Sequence, residues 1–368
     1  MGVVGIVVAI GLSRCESIVA CLPLYFQSGE RRTVKSDATF QGASLFSMSK
    51  GPRIFLYAVG LLLLILALAI TFSIGWRPIL GARSRPLTNQ HFDATPARLA
   101  RGEYLAGSVL GCLDCHTERD WKAPGGALVA GREGAGQIFP GEGFPGRIVA
   151  PNLTPDPETG AGLWTDDQLA RAVREGIGHD GHALFPLMPY PNFRRLSDED
   201  LASVVVYLRS LPAVKNALPS TEIAFPVKYL IRGVPQPLTQ PVPPPDLSTP
   251  QRRGEYLVTL ASCADCHTPA VNGQPETDKA FAGGMEFKGP WGTVQSANIT
   301  PDKTGISYYD ENRFIEAMRT GSVMGRHLNP IMPWDGYRHM TDDDLKAVFA
   351  YLRTVKPVEN RVKRSSSE

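Results

Sequence analysis

The sequence predicts an all-α chain, with one membrane-spanning helix near the N-terminus followed by two copies of one small helical domain. Three observations carry this. Residues 54–76 contain no charge, and a set of short motifs occurs twice at an offset that falls from 152 to 144 residues. Proline- or acid-led N-caps also recur ahead of apolar residues at helical spacing, and no stretch alternates convincingly as a strand.

Composition bounds the rest. The chain has 368 residues, 43% hydrophobic and 20% charged, which excludes wholesale disorder and allows two ordinary domains. A net charge of +2 argues against a strongly basic nucleic-acid binder. The 36 glycines and 31 prolines imply long loops between the helices. Six cysteines are too few for a disulfide scaffold, and they fall as two tight pairs, Cys112/Cys115 and Cys263/Cys266, with Cys15 and Cys21 as N-terminal strays.

In chain order, Gly2 to Leu12 is apolar but lacks a basic lead, and Met48-Ser49-Lys50-Gly51-Pro52-Arg53 reads as the natural start of a signal anchor. Residues 1–47 are therefore expected to be an extension ahead of the true start. The anchor is expected over 48–77. Its uncharged run, Ile54 to Trp76, is bracketed by Arg53 and Arg77. At about 1.5 Å per residue this crosses a ~30 Å hydrocarbon core. It exceeds the apolar region of a cleaved signal peptide, about 7–15 residues. Tyr57 and Trp76 suit the two interfaces. Residues 1–76 hold six Lys/Arg and three Asp/Glu, leaving 32 basic against 33 acidic residues beyond them, so net charge gives no long-range steering.

Beyond the anchor, Arg101-Gly-Glu-Tyr-Leu105 recurs as Arg253-Gly-Glu-Tyr-Leu257, and Cys112-Leu-Asp-Cys-His-Thr117 as Cys263-Ala-Asp-Cys-His-Thr268. Asn152-Leu-Thr-Pro-Asp156 recurs as Asn298-Ile-Thr-Pro-Asp302, Met188-Pro-Tyr190 as Met332-Pro-Trp334, and Tyr207-Leu-Arg209 as Tyr351-Leu-Arg353. This is a domain duplication rather than a solenoid of short repeats. The domains are expected at 90–215 and 249–358, with a linker at 216–248 and a tail at 359–368. Pro235 to Pro250 contains seven prolines and should be extended and semi-rigid.

Each repeat carries the same helix signals. Thr95-Pro96 and Thr249-Pro250 place an N-cap before proline at the first helical position. Thr165 with Gln168 forms a capping-box pattern ahead of Leu169, Ala172 and Val173. Its counterpart opens at Asp310, with Phe314, Ile315 and Met318 on the apolar face. Ser197 and Thr341, each followed by three acids suited to a helix N-terminus, open the last helix of each repeat.

Cys-x-x-Cys-His is the attachment pattern for c-type haem. Two thiols one helical turn apart can each add to a vinyl group of one porphyrin, and the adjacent histidine then sits under the iron. Cys112, Cys115 and His116, and Cys263, Cys266 and His267, are thus expected to hold two covalent haems. A thioredoxin-like pair would need a βαβ setting, which is absent. A zinc site would have to join pairs 151 residues apart. For the sixth iron ligand, Met188 is the only methionine from Cys115 to the end of its repeat and lies in a proline-rich loop, and Met332 matches it. Met324 and His327 compete in the second repeat, and His182 in the first.

Asn152 to Gly160, Arg174-Glu-Gly176, Asp180-Gly-His182, Met188-Pro-Tyr190 and Asp198-Glu-Asp-Leu201 complete a pattern that resembles the membrane-bound multi-haem cytochrome c family. That family includes the cytochrome subunits of bacterial alcohol, gluconate and related sugar dehydrogenases. The resemblance covers roughly residues 95–357. It implies tandem all-α cytochrome c domains, few helices with long loops around haem, and electron transfer from a periplasmic dehydrogenase toward quinone, a soluble cytochrome or a terminal oxidase. The chain departs from those subunits in carrying two haem motifs rather than three, and in having its span at the N-terminal side. Covalent haem attachment takes place on the exported side of energy-transducing membranes. The expected location is therefore the bacterial inner membrane with the haem domains in the periplasm. The competing expectation is a di-haem enzyme, such as a peroxidase or thiosulfate-oxidising cytochrome. That needs an iron with a displaceable ligand, and the matching Met-Pro-aromatic loops argue for two closed irons and no catalytic residue.

Overall fold

The computed structural model describes residues 50–363 except Pro124, Gly141 and Asn272. The expected extension, with Cys15, Cys21 and Met48, lies outside the described residues. The chain divides into two units, one ending at Trp76 and one running on from Arg77.

The first unit is a single helix, α1 (Lys50–Phe72), displaced four residues toward the N-terminus from the uncharged run. Pro52 falls in its first turn, where a missing N–H breaks no helical bond. The helix stops because Gly75 takes a left-handed φ of 70° and its N–H returns to the Ile70 carbonyl at 2.8 Å. Among the described residues α1 is the one helix long and apolar enough to cross a membrane, with a mean hydropathy of 2.8.

The second unit opens with α2 (Arg77–Leu80). The first repeat follows, with α3 (Pro96–Tyr104), α4 (Cys112–His116), α5 (Asp166–Glu175), α6 (Tyr190–Phe193) and α7 (Asp198–Ser210). After α8 (Val227–Leu230), the second repeat gives α9 (Pro250–Leu260), α10 (Cys263–His267), α11 (Glu311–Thr320), α12 (Trp334–Tyr337) and α13 (Asp342–Leu352). The caps are the expected ones. Thr95 and Thr249 accept the N–H groups of Arg98 and Arg252, each at 3.2 Å. Thr165 and Gln168 close a reciprocal capping box, and Ser197, Asp310 and Thr341 cap α7, α11 and α13. The repeats differ after α3, which continues as a π-helical turn over Leu105–Val109, whereas α9 stays regular to Leu260.

The all-α expectation holds only in part. Among the described residues the loops fold back into six antiparallel two-stranded ribbons, the longest pairing Glu286–Gly289 with Gly292–Gln295. Most strands have two residues, too few for a period-two pattern to show in sequence. The first half of the linker is also folded: Glu222–Ile223 pairs with Gly146–Arg147. The chain then runs from Pro235 to Thr249 without regular structure.

In each repeat the first and last helices cross at a glycine. A Cβ on Gly102 would lie 1.9 Å from the Ser203 carbonyl oxygen, and one on Gly254 1.9 Å from that of Ala347. Around the crossings runs one continuous core, with Leu105, Val109, Leu201 and Val205 from the first repeat and Leu260, Phe314, Leu345 and Phe349 from the second. Burial of such side chains contributes about 1.5–3 kcal/mol each. Arg101 Nε donates to Asp200 in the same repeat at 2.8 Å, and Arg253 pairs with Asp344 in the same way. The tyrosine of the motif reaches across instead: Tyr104 bonds to Asp344, and Tyr256 to Asp200. The two repeats therefore meet through a pseudo-two-fold exchange of contacts. Ahead of the first repeat, Arg85 straps the chain to α5 through Asp167 at 2.5 Å and Glu175 at 2.7 Å.

Candidate haem sites

Each Cys-x-x-Cys-His sequence forms one short helix, α4 or α10, entered through a residue in the left-handed region. That residue is Gly111 at φ 64° in the first repeat and Ser262 at φ 55° in the second. The turn reverses the chain after the preceding helix and sets the cysteines and histidine within little more than one helical turn. Burial pushes the thiols of Cys112, Cys115 and Cys263 up to about 12 and that of Cys266 up to about 11. Before haem attachment these are neutral thiols, unlike the low-pKa cysteines of redox catalysis.

Both histidines are oriented by a backbone carbonyl. His116 Nδ1 donates to Pro151 O at 2.8 Å, and His267 Nδ1 to Ala297 O at 2.7 Å. Burial holds both imidazoles below their ordinary value, so each is neutral, with Nδ1 carrying the proton and Nε2 a lone pair. The histidine carbonyls are fixed as well, each accepting a glycine N–H at 2.7 Å, from Gly136 and Gly283.

Pro151 and Ala297 were not legible as site residues, because a carbonyl has no residue-type signature. The signal beside them was the Asn-x-Thr-Pro-Asp motif, and its role is now physical. Asn152 Nδ2 donates to Val214 O at 2.8 Å, while Asn152 Oδ1 accepts from Thr154 N and Oγ1 at 2.9 and 2.7 Å. Asn298, Thr300 and Val358 repeat this set. The motif ties the loop to the chain that leaves the last helix, and so fixes the carbonyl just before it.

Met188 and Met332 stand in equivalent loops. The next residue but one anchors each: Tyr190, almost wholly buried, packs on Gly176, and Trp334 on Gly321. A Cβ on either glycine would lie 2.4 Å from the ring, and both glycines hold left-handed φ angles at the ends of α5 and α11. This accounts for Arg-Glu-Gly and Met-Pro-aromatic as one device. Both methionines are half-buried. The rival ligands lie elsewhere on the loop: Met324 is 78% exposed in the turn of the Ser322–Val323/Arg326–His327 ribbon, and His182 and His327 are exposed.

The donor chemistry fits haem c: two thiols on one helical turn, an adjacent neutral imidazole, and a thioether in a braced loop. Among the described residues no cluster of three or more His, Cys, Asp or Glu forms an alternative metal site.

Each attachment helix is also packed against the turn that follows the methionine of the other repeat. Asn192, at the α6 turn of the first repeat, donates to Asp265 of α10 at 2.9 Å and to Ser262 at 3.0 Å. The matching residue of the second repeat, Gly336, lies so close to α4 that a Cβ would sit 2.6 Å from Asp114 Oδ2. Asp114 is held by Arg119 at 3.3 Å with both side chains buried. The half-buried Tyr337, in the turn after Gly336, donates its hydroxyl to Ala261 O at 2.9 Å, just ahead of α10.

A cytochrome c family model matches residues 99–212 and 251–356, and this chain belongs to that family. It is a c-type cytochrome with two covalently attached haem c groups. It is 30% identical over 284 residues to a diheme cytochrome c-type protein of Cereibacter sphaeroides, covering 73% of this chain and 89% of that one. It is 30% identical over 283 residues to the cytochrome c subunit of alcohol dehydrogenase (quinone) of Gluconobacter oxydans, covering 72% of this chain and 56% of the relative. It is 29% identical over 291 residues to the fructose dehydrogenase cytochrome subunit of Gluconobacter japonicus, covering 74% and 56%. The chain thus spans little more than half the length of these two dehydrogenase subunits.

Proposed function

We propose that this chain is a membrane-anchored periplasmic cytochrome that relays electrons from a dehydrogenase to quinone, a soluble cytochrome or a terminal oxidase. The observation that carries the reading is that each attachment helix is held against the other repeat, Asp265 by Asn192 and Asp114 by the turn at Gly336. Electron exchange falls steeply with distance, and this interface keeps two attachment sites together without a mobile step. When bound, each haem supplies a reversible one-electron couple at its iron.

In this reading Cys112, Cys115, Cys263 and Cys266 hold the porphyrins, and His116 and His267 supply the proximal nitrogens. Met188 and Met332 would supply each iron's remaining ligand, which would leave the chain no substrate site of its own. Helix α1 is the anchor, with its N-terminal end in the cytoplasm. A dehydrogenase donor is supported by the relatives that are cytochrome subunits of alcohol and fructose dehydrogenases.

The test is purification of the full chain from its native membranes. The expected result is a co-purifying dehydrogenase whose substrate reduces both haems, with two c-type haems per chain by pyridine haemochrome. A preparation with no such partner that turns over peroxide would instead make the chain a di-haem enzyme.

A further inference from the structure

Two segments about 150 residues apart meet on one face of the cytochrome unit. Helix α2 packs on α8 and on the short turn Ile231–Gly233, burying Pro78, Val227 and Ile231. Arg232 Nη1 fastens the join by donating to Pro78 O at 3.1 Å. The residues left outside are large and apolar: Ile79 is 58% exposed, Leu80 69% and Phe225 81%. Between the segments lies a cleft of about 610 Å³ whose apolar wall includes Ile79, Leu80, Ile223 and Ile231.

Lys228 and Arg232 also line the cleft, and among the described residues neither has a carboxylate partner. Each rests on the Tyr229 ring, at 5.2 and 4.6 Å from its centroid, which steadies a cation without neutralising it. Arg77 and Arg83, on either side of α2, are likewise unpaired among the described residues. The one acid in the lining, Glu222, is taken by Arg147 at 2.7 Å, and His182 is held by Asp180. The cleft therefore presents net positive charge within an exposed apolar rim.

That combination is costly in water and favourable at a phospholipid surface, where apolar side chains enter the acyl boundary and cations meet phosphate. Chain length supplies the second argument. Five steps of chain separate Phe72, the end of α1, from Arg77, a reach of at most roughly 18 Å. If α1 spans the bilayer, α2 lies within that reach of its surface, and α8 is packed on α2.

We propose that this face is a second membrane contact. Ile79, Leu80 and Phe225 seat in the bilayer surface, and Lys228 and Arg232 hold an anionic phospholipid headgroup in the cleft. The inference rests on the reading of α1 as the anchor, and it fixes which side of the haem unit faces lipid.

The test is hydrogen–deuterium exchange on the full chain, in nanodiscs of phosphatidylcholine alone or mixed with phosphatidylglycerol. Amides of 77–82 and 222–233 are expected to exchange several-fold more slowly in the anionic discs. That difference should disappear in Lys228→Gln/Arg232→Gln. Lys228→Glu, which touches no backbone group, should remove most of it without loosening the join. Equal exchange of the unaltered chain in both discs overturns the proposal. So does equal protection by a soluble quinone analogue in phosphatidylcholine discs, which would make the cleft a quinone site. Carbonate washing of native membranes checks the anchor separately. Retention with lipid-independent exchange overturns the face alone, whereas release overturns the anchor and the tether argument with it.

Discussion

The hydroxyl of Tyr256, in the second repeat, donates to Asp200 of the first at 2.7 Å and accepts the Ser197 N–H at 3.4 Å. It thereby completes the N-terminal cap of a helix in the other repeat. Tyr104 does the same for α13 through Asp344 and the Thr341 N–H at 3.2 Å. Burial raises both phenols, Tyr104 up to about 12, so they remain neutral donors across the physiological range.

Tyr256→Phe should therefore destabilise the unit without orphaning Asp200, which keeps Arg101. The expected loss is about 1.5–3 kcal/mol, as for a hydrogen bond to a charged acceptor. Denaturant unfolding followed by far-UV circular dichroism measures it. A midpoint equal to that of the unaltered chain would show that the cross-repeat cap carries no stability.

Gly102→Ala should be more severe than an ordinary helix substitution, although alanine has the higher helix propensity. The added methyl meets the Ser203 backbone at 1.9 Å, so α3 and α7 must separate. A cost of about 3 kcal/mol is expected, at the upper end for overpacking. Gly107→Ala, where a Cβ meets nothing within 4 Å, is the matched control.

Met188→Ala and Met332→Ala should each remove the far-red methionine–iron absorbance of one haem and let carbon monoxide bind one iron. Met324→Ala should do neither, because that side chain lies exposed in a ribbon turn. Optical spectra of the three variants, with haem content held at two per chain, decide the assignment.

Arg85 predicts a pH dependence. Burial alone would raise Asp167, but Arg85 and the Thr88 N–H at 2.6 Å outweigh it and hold the carboxyl below its ordinary value. A depressed folded-state pKa contributes stability above the unfolded value, near 3.8, and that contribution is lost as pH falls through the folded value. Arg85→Gln should therefore destabilise the unit at neutral pH by about 3 kcal/mol, the cost of breaking a buried pair. The difference from the unaltered chain should narrow below about pH 4. A gap that stays constant from pH 7 to pH 3 would falsify the role of this pair.

What could be read from the sequence was what acts locally. Thr95, Thr165 with Gln168, Ser197 and Thr341 cap their helices as their spacing requires, because a cap involves only a few consecutive residues. The cysteine–histidine motifs were legible for the same reason. Tyr104 and Asp344 were visible as members of repeated motifs but not as partners, since a contact across 240 positions leaves no local pattern. The Pro151 and Ala297 carbonyls act through backbone atoms that every residue possesses. Most of the ribbons escaped notice because two residues cannot display an alternation. Ser262 was hidden for another reason: it holds the left-handed turn that Gly111 holds in the first repeat, without the glycine that would have announced it.

The pseudo-two-fold interface gives this chain the layout of a dimer within one covalent chain. Its halves are joined by the 216–248 connection, so their association is intramolecular and independent of protein concentration. A true homodimer must use the same residue on both sides of its axis. Here Asn192 faces Asp265 while Gly336 faces Asp114, and Tyr190 stands where the other half has Trp334. Fusion has freed the two halves to become different, so one iron can be tuned against its neighbour and the pair can acquire a direction.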